Sequence, residues 1–200
     1  MKTINRLKIA VTLVVIFLAT VGAFAQAGYK LGDKVANFSL KDASGKEVAL
    51  KDYSSGKAVV VVFTNNTCPY AKLYENRLVK LAGAYSGKNV QFLFVNPSVG
   101  DEGGETLQDM ASKSYSFPYL ADEGQKISTQ FGATKTPEVF VLHNTSGGFV
   151  LKYKGAIDDN PQVETSVKSS YLKNVIDEVL ANKTVTVLDK RPTGCMIRKY

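Results

Sequence analysis

The sequence predicts an α/β fold: a central mixed β-sheet flanked by helices, with an added N-terminal β-hairpin. Three observations predict it. Residues 58–63, AVVVVF, and 90–95, VQFLFV, are continuous apolar runs, the pattern of strands buried on both faces. Between them Tyr74, Leu78, Leu81, Ala82 and Tyr85 recur at helical spacing, and Gly87 can stop the helix. Strand, helix, strand in that order makes a parallel pair with a right-handed crossover. Further on, EVFVL (138–142) and FVLKYKG (149–155) flank the turn HNTSGG and form an antiparallel hairpin, so the sheet is mixed.

The elements follow in order. Residues 1–25 read as a signal peptide: MKTINRLK is basic, IAVTLVVIFLATVGAFA is apolar, and Ala23-Phe24-Ala25 is a small-x-small cleavage pattern before Gln26. The alternative is an uncleaved membrane anchor, for which the run has borderline length. No later stretch is apolar and long enough to span, so the mature chain is expected to be exported, periplasmic or secreted, with no stable membrane span after cleavage. Residues 26–187 read as one domain. Within it, FSL and VAL around Asp42-Ala43-Ser44-Gly45 form the N-terminal hairpin. A helix is expected over 105–114, and another ends at Gly132. The last helix carries Leu172, Val175, Ile176, Val179 and Leu180 on one stripe. Residues 188–200, with Pro192, Gly194 and Cys195, read as an irregular tail.

Composition narrows the function. At 200 residues, 44% hydrophobic and 22% charged, the chain can bury a full core. Removing Lys2, Arg6 and Lys8 with the leader takes the formal charge from +7 to +4. No basic run or recognition motif accompanies it, so nucleic acid is not an expected partner. Two cysteines and the single His143 cannot close a zinc site without acids, and no metal-ligand spacing is present; no metal or other cofactor is expected. His143 follows EVFVL and reads as a plain strand-end residue opening a turn. The loop NPSVGDEGGE (96–105) is no phosphate cradle: no Gly-Lys-Ser/Thr follows, and its acids repel phosphate.

The chemistry lies at VVVVFTNNTCPY (59–70). Cys68 stands where a buried strand turns into a helix, and Pro69 suits the first helical turn, since its missing N–H has no intrahelical partner. A helix N-terminus brings unpaired N–H groups and the positive end of the macrodipole to the sulfur, favouring thiolate. Thiolate is the nucleophile toward disulfides and peroxides. The alternative is a buried structural cysteine.

These residues resemble the thioredoxin-fold superfamily in its peroxiredoxin-like, or redoxin, branch: the alkyl hydroperoxide reductase and thiol-specific antioxidant group. The resemblance runs from about Gly28 to the C-terminus. It is carried by GDKVANFSLKDASGKEVALKDY, by the strand and Cys-Pro turn, by FPYLADEGQKISTQFGATKTPEVFVL with its Thr136-Pro137 pair, and by the terminal GCMIRKY. It implies a thioredoxin-like fold and a cis peptide before Pro137 lying beside the active sulfur. It also implies substrate-positioning roles for Thr67, Pro69, Thr136 and Pro137.

The chain departs from the branch in places. Ala71 stands where a dithiol enzyme has its second cysteine, which excludes a dithiol cycle confined to this turn. Typical peroxiredoxins place Pro and Thr seven and three residues before the cysteine; Val61 and Asn65 stand there. No matching arginine appears near KTPEVF. Lys72 and Arg77 are the nearby cations, and solvent exposure is the alternative for both. Cys195 is the other sulfur. Three arrangements are open: it resolves Cys68 within the chain, across a dimer, or not at all.

Two functions compete. One is an exported thiol oxidoreductase, either a thiol peroxidase or an enzyme of thiol–disulfide exchange. Its nucleophile is Cys68, its substrates are thiol or disulfide proteins or a small peroxide, and an external thiol is its reductant. The other is a binding or structural module stapled by Cys68–Cys195. The leader yields a direct expectation. N-terminal sequencing of the native protein should begin at Gln26 or within a residue or two, and an intact Met1 in envelope material refutes export by cleavage.

Overall fold

A computed structural model describes residues 28–100 and 104–199. The signal-peptide reading of 1–25 lies outside the described residues. Strands β1 (Ser39–Asp42) and β2 (Glu47–Ala49) form the N-terminal hairpin. Then come β3 (Ala58–Phe63), α1 (Pro69–Tyr85) and β4 (Val90–Asn96). Next are α2 (Leu107–Ala111), β5 (Tyr119–Ala121), α3 (Lys126–Phe131) and β6 (Lys135–Thr136). The hairpin β7 (Glu138–Thr145) and β8 (Gly148–Gly155) precedes α4 (Tyr171–Leu180), β9 (Asp189–Lys190) and β10 (Cys195–Met196).

Eight strands form one mixed sheet in the order β2-β1-β5-β4-β3-β7-β8-β9. Strands β3, β4 and β5 run parallel; β7 pairs antiparallel with β3. Side chains of β3 alternate between two cores, as a strand covered on both faces requires. Val60 and Val62 pack with Leu78 and Ala82 of α1 and Val175 and Ile176 of α4. Val59, Val61 and Phe63 pack with Phe38, Ile127, Phe131 and Phe140. There Phe131 meets Phe38, Phe63 and Phe140 edge-on. Burying each such side chain contributes roughly 1.5–3 kcal/mol. This double-sided burial fixes β3, and with it the turn that follows. Among the described residues no helix is long and apolar enough to cross a membrane.

Three local expectations are corrected. The helix read over 105–114 is only Leu107–Ala111. Thr106 caps it, its Oγ1 accepting the Asp109 amide while Asp109 accepts the Thr106 amide, and Glu105 is drawn away into a bridge with Val99. His143 does not open the turn; it sits inside β7, opposite Ala58 and Val150, and the hairpin closes later, at Ser146-Gly147. The tail read as irregular over 188–200 contains β9, parallel to β8, and β10, antiparallel to β6. Gly155 permits the first of these: its φ is +125°, and a Cβ there would lie 1.8 Å from the Lys190 carbonyl oxygen.

One polar cluster ties the segment after β8 to α1. Tyr74 donates to Asp158 Oδ1 at 2.7 Å, and Arg77 Nη1 donates to Asp158 Oδ2 at 2.9 Å and to the Asn160 carbonyl at 2.7 Å. Both ionic side chains are buried. Burial, with the carboxylate beside it, pushes the Tyr74 phenol above its ordinary range. Asp158→Ala should therefore cost on the order of 3 kcal/mol by leaving a largely buried guanidinium with the Asn160 and Pro161 carbonyls and the half-exposed Glu164 carboxylate 4.0 Å away. Combining it with Arg77→Met should recover much of the loss; chemical denaturation of the two variants checks this.

Candidate active site

The turn at 64–68 carries Cys68 from β3 into α1. Cys68 is the N-cap and Pro69 the first helical residue, but the cysteine side chain caps nothing. Asn65 takes over part of that work: its Oδ1 accepts the Cys68 amide at 3.0 Å, and its Nδ2 donates to Ser98 Oγ at 3.0 Å. The Thr67 amide donates to Glu105 Oε1 at 2.8 Å. Glu105 Oε2 accepts Asn96 Nδ2 at 2.8 Å, and Asn96 Nδ2 also donates to Tyr119 Oη at 3.0 Å. Tyr119 Oη in turn donates to Asn66 Oδ1, while Asn66 Nδ2 donates to the Asp109 carbonyl. The turn is thus held from behind by a polar network from β4, β5 and the loop between β4 and α2. Glu105 is 4% exposed, at the centre of it.

In front of the turn lies β6. The Thr136–Pro137 peptide is cis. Cys68 is 3% exposed, and its Sγ lies 3.0 Å from the Thr136 carbonyl oxygen. That sulfur carries no proton, because it is disulfide-bonded to Cys195 with a Cα separation of 5.9 Å. A reduced thiol there can donate to the same carbonyl. Cys195 sits directly opposite Thr136 in the β10–β6 pair. Glu138 braces β6, accepting the Thr134 and Lys135 amides at 2.8 and 3.1 Å; burial pushes its carboxyl above the usual range despite those donors.

Cys68, Cys195, Thr136 and Pro137 are therefore brought together, with Pro69 beside them in sequence. Thr67 differs: its amide points back to Glu105 and the residue is exposed. Arg77 is engaged by Asp158, and Lys72 is exposed. Ala71 is a buried core position of α1. Sequence reasoning missed Asn65, Asn66, Asn96, Ser98, Glu105 and Tyr119. Their common signal, polar residues at the ends of buried strands, is visible only once β4 and β5 are aligned beside β3.

A cysteine at a helix N-terminus after a buried parallel strand, facing a cis X-Pro peptide in a mixed sheet flanked by helices, defines a thioredoxin-like fold. The pneumococcal exposed lipoprotein thioredoxin Etrx1 of Streptococcus pneumoniae shares it, with a TM-score of 0.53 and 21% identity over 63% of this chain and 93% of that one. The chain belongs to the AhpC/TSA family, whose model matches residues 31–160, ending before the tail. A hypothetical protein from Sinorhizobium meliloti 1021 is 30% identical, with a TM-score of 0.77, covering 86% of this chain and 96% of its own. The thiol-disulfide oxidoreductase ResA of Halalkalibacterium halodurans is 27% identical over 131 residues, 65% of this chain and 72% of that protein.

The network behind the turn makes a stability prediction. Glu105→Ala leaves the Thr67 amide without its acceptor and takes from Asn96 Nδ2 one of its two. It should cost about 1–3 kcal/mol. Glu105→Gln keeps an oxygen for Thr67 and should cost less. Thermal melts of both variants in the disulfide form test the order.

Proposed function

We propose that the protein is an exported thiol–disulfide oxidoreductase in which Cys68 is the nucleophile and Cys195 resolves it. The observation that carries this reading is the Cys68–Cys195 disulfide, made between a helix N-terminus and a strand paired to Thr136. The similarity to ResA, named a thiol-disulfide oxidoreductase, supports the same chemistry. The leader at 1–25 supports export.

The steps balance as follows. The Cys68 thiolate attacks one sulfur of a substrate disulfide; a bond forms between Cys68 Sγ and that sulfur, and the other sulfur leaves as thiolate and takes a proton from water. The Cys195 thiolate then attacks Cys68 Sγ, forming Cys68–Cys195 and expelling the substrate's second thiolate. That second thiolate also takes a proton from water, so the substrate gains two electrons and two protons; the protein loses two electrons, its own two thiol protons having gone to water when the thiolates formed. An external thiol restores the protein by attacking Cys195, the more exposed of the two. Cys68 then departs as the thiolate that the helix N-terminus stabilises, and a low-pKa thiol leaves faster. Thr136 O lies 3.0 Å from Cys68 Sγ, on the side from which Cys195 reaches that sulfur. Disulfide exchange is favoured over peroxide reduction because Arg77 is engaged by Asp158, and Val61 and Asn65 occupy the positions of the peroxidatic Pro and Thr.

Insulin reduction by dithiothreitol and peroxide consumption, measured side by side, test this. Wild type should reduce insulin well above background and consume peroxide slowly. Cys68→Ser should fall to background while its fold persists. Cys195→Ser, reduced beforehand and freed of dithiothreitol, should react with insulin only once, with substrate trapped on Cys68 by mass spectrometry. Unchanged insulin reduction by Cys68→Ser overturns the assignment and leaves the disulfide as a staple.

A further inference from the structure

We infer that the seat of β10 is a peptide site, and that its substrate is a protein disulfide whose attacked cysteine lies in an extended Gly-Cys-x-apolar segment. This rests on the Cys68–Cys195 cycle proposed above. The chain's own tail displays the requirements. Most of its attachment is through main chain: Cys195 pairs with Thr136, Met196 with Lys135, and the Ile197 amide donates to the Thr134 carbonyl at 2.9 Å. Gln125 Nε2, which also donates to the Pro97 carbonyl, donates to the Arg198 carbonyl beyond. Any extended segment can make such contacts, as in strand addition to a sheet edge.

The side chains are selective. A Cβ at Gly194 would lie 2.4 Å from the Thr136 carbonyl oxygen and 3.1 Å from Pro137 N. Both obstacles are backbone and cannot move aside, so the residue before the bonded cysteine is glycine. Met196 is 67% exposed, so that position is free. Ile197 is buried in the same core as Phe63 and Phe131, so the second residue after the cysteine is apolar. The residues that select, Thr136 and the Phe131 core, belong to the body of the domain and stay when the tail leaves.

The site is shared in time. In the reduced protein the substrate segment occupies the β6 edge while Cys68 attacks its disulfide. The Cys68–substrate bond forms and the substrate's other sulfur leaves with a proton from water. Cys195 then displaces the substrate cysteine from Cys68, and β10 takes its place. Only residues 191–194 separate β10 from β9, which is anchored on β8, so the tail returns from close by.

The test varies the peptide and not the fold. Purified Cys195→Ser protein is reduced, leaving Cys68 as its one thiol. It is mixed with the peptide TGCMIR, residues 193–198, carried as a mixed disulfide with thionitrobenzoate. Release of the coloured thiol reports attack by Cys68. The same peptide with valine for glycine, or aspartate for isoleucine, should react about tenfold or more slowly. Ellman's reagent, which has no peptide, gives the intrinsic reactivity of Cys68. Gly194→Val combined with Cys195→Ser should expel the tail and speed the parent peptide. Three peptides reacting alike, while Ellman's reagent also reacts, overturns the inference and leaves the thiol chemistry standing. No reaction with Ellman's reagent overturns that chemistry, and the inference with it.

Discussion

The passage from β3 into α1 is the constraint on which the rest of the structure depends. Five valine and phenylalanine side chains buried on both faces hold β3 rigid. Six residues after Phe63, at Pro69, the chain must already be helical. Between them, four side-chain-to-turn bonds, from Asn65, Asn66 and Glu105, fix where Cys68 points. A cysteine could sit at any helix N-terminus. Here its amide is held by Asn65, the Thr67 amide before it is held from behind by a buried carboxylate, and its sulfur lies against the Thr136 carbonyl in front. The cost is a carboxylate taken out of water with neutral donors for its described partners. Such a group is tolerated when its oxygens are well bonded.

The same constraint explains why the second sulfur comes from far away in sequence. Position 71 is buried: Ala71 lies in the first turn of α1, closed off from solvent. Cys68 faces the β6 edge, and the segment that meets it there runs antiparallel to β6. The tail does so with two residues. The sequence prepares that approach with a glycine immediately before the cysteine and an apolar residue two positions after it.

Much of this was legible in the residues. AVVVVF and VQFLFV announced the central parallel strands because nothing else keeps such runs out of water. The stripe of Leu172, Val175, Ile176 and Val179 announced the last helix, and all four are buried. Cys-Pro and the distant Thr-Pro marked the two sides of the site. Glu105 was not legible: one acid of three in a glycine-rich loop has no period to single it out, and its partners Thr67 and Asn96 lie on two other segments. Nor were β9 and β10, since two residues cannot show alternation, and Pro192 and Gly194 between them argue for a loop. Their pairing is decided by the Gly155–Lys190 and Gly194–Thr136 close approaches, which are tertiary facts.

The disulfide also changes the topology of the chain. It joins residues 127 apart, so in the oxidised protein everything from α1 to β9 lies inside a covalent ring. Force applied to the two ends bypasses that ring; of the described residues, 28–67 and 196–199 lie outside it and can be drawn out. Opening the bond releases roughly 400 Å of extensible contour at about 3.3 Å per residue. A single-molecule pulling trace would therefore read the redox state as a length, and would follow its turnover one molecule at a time.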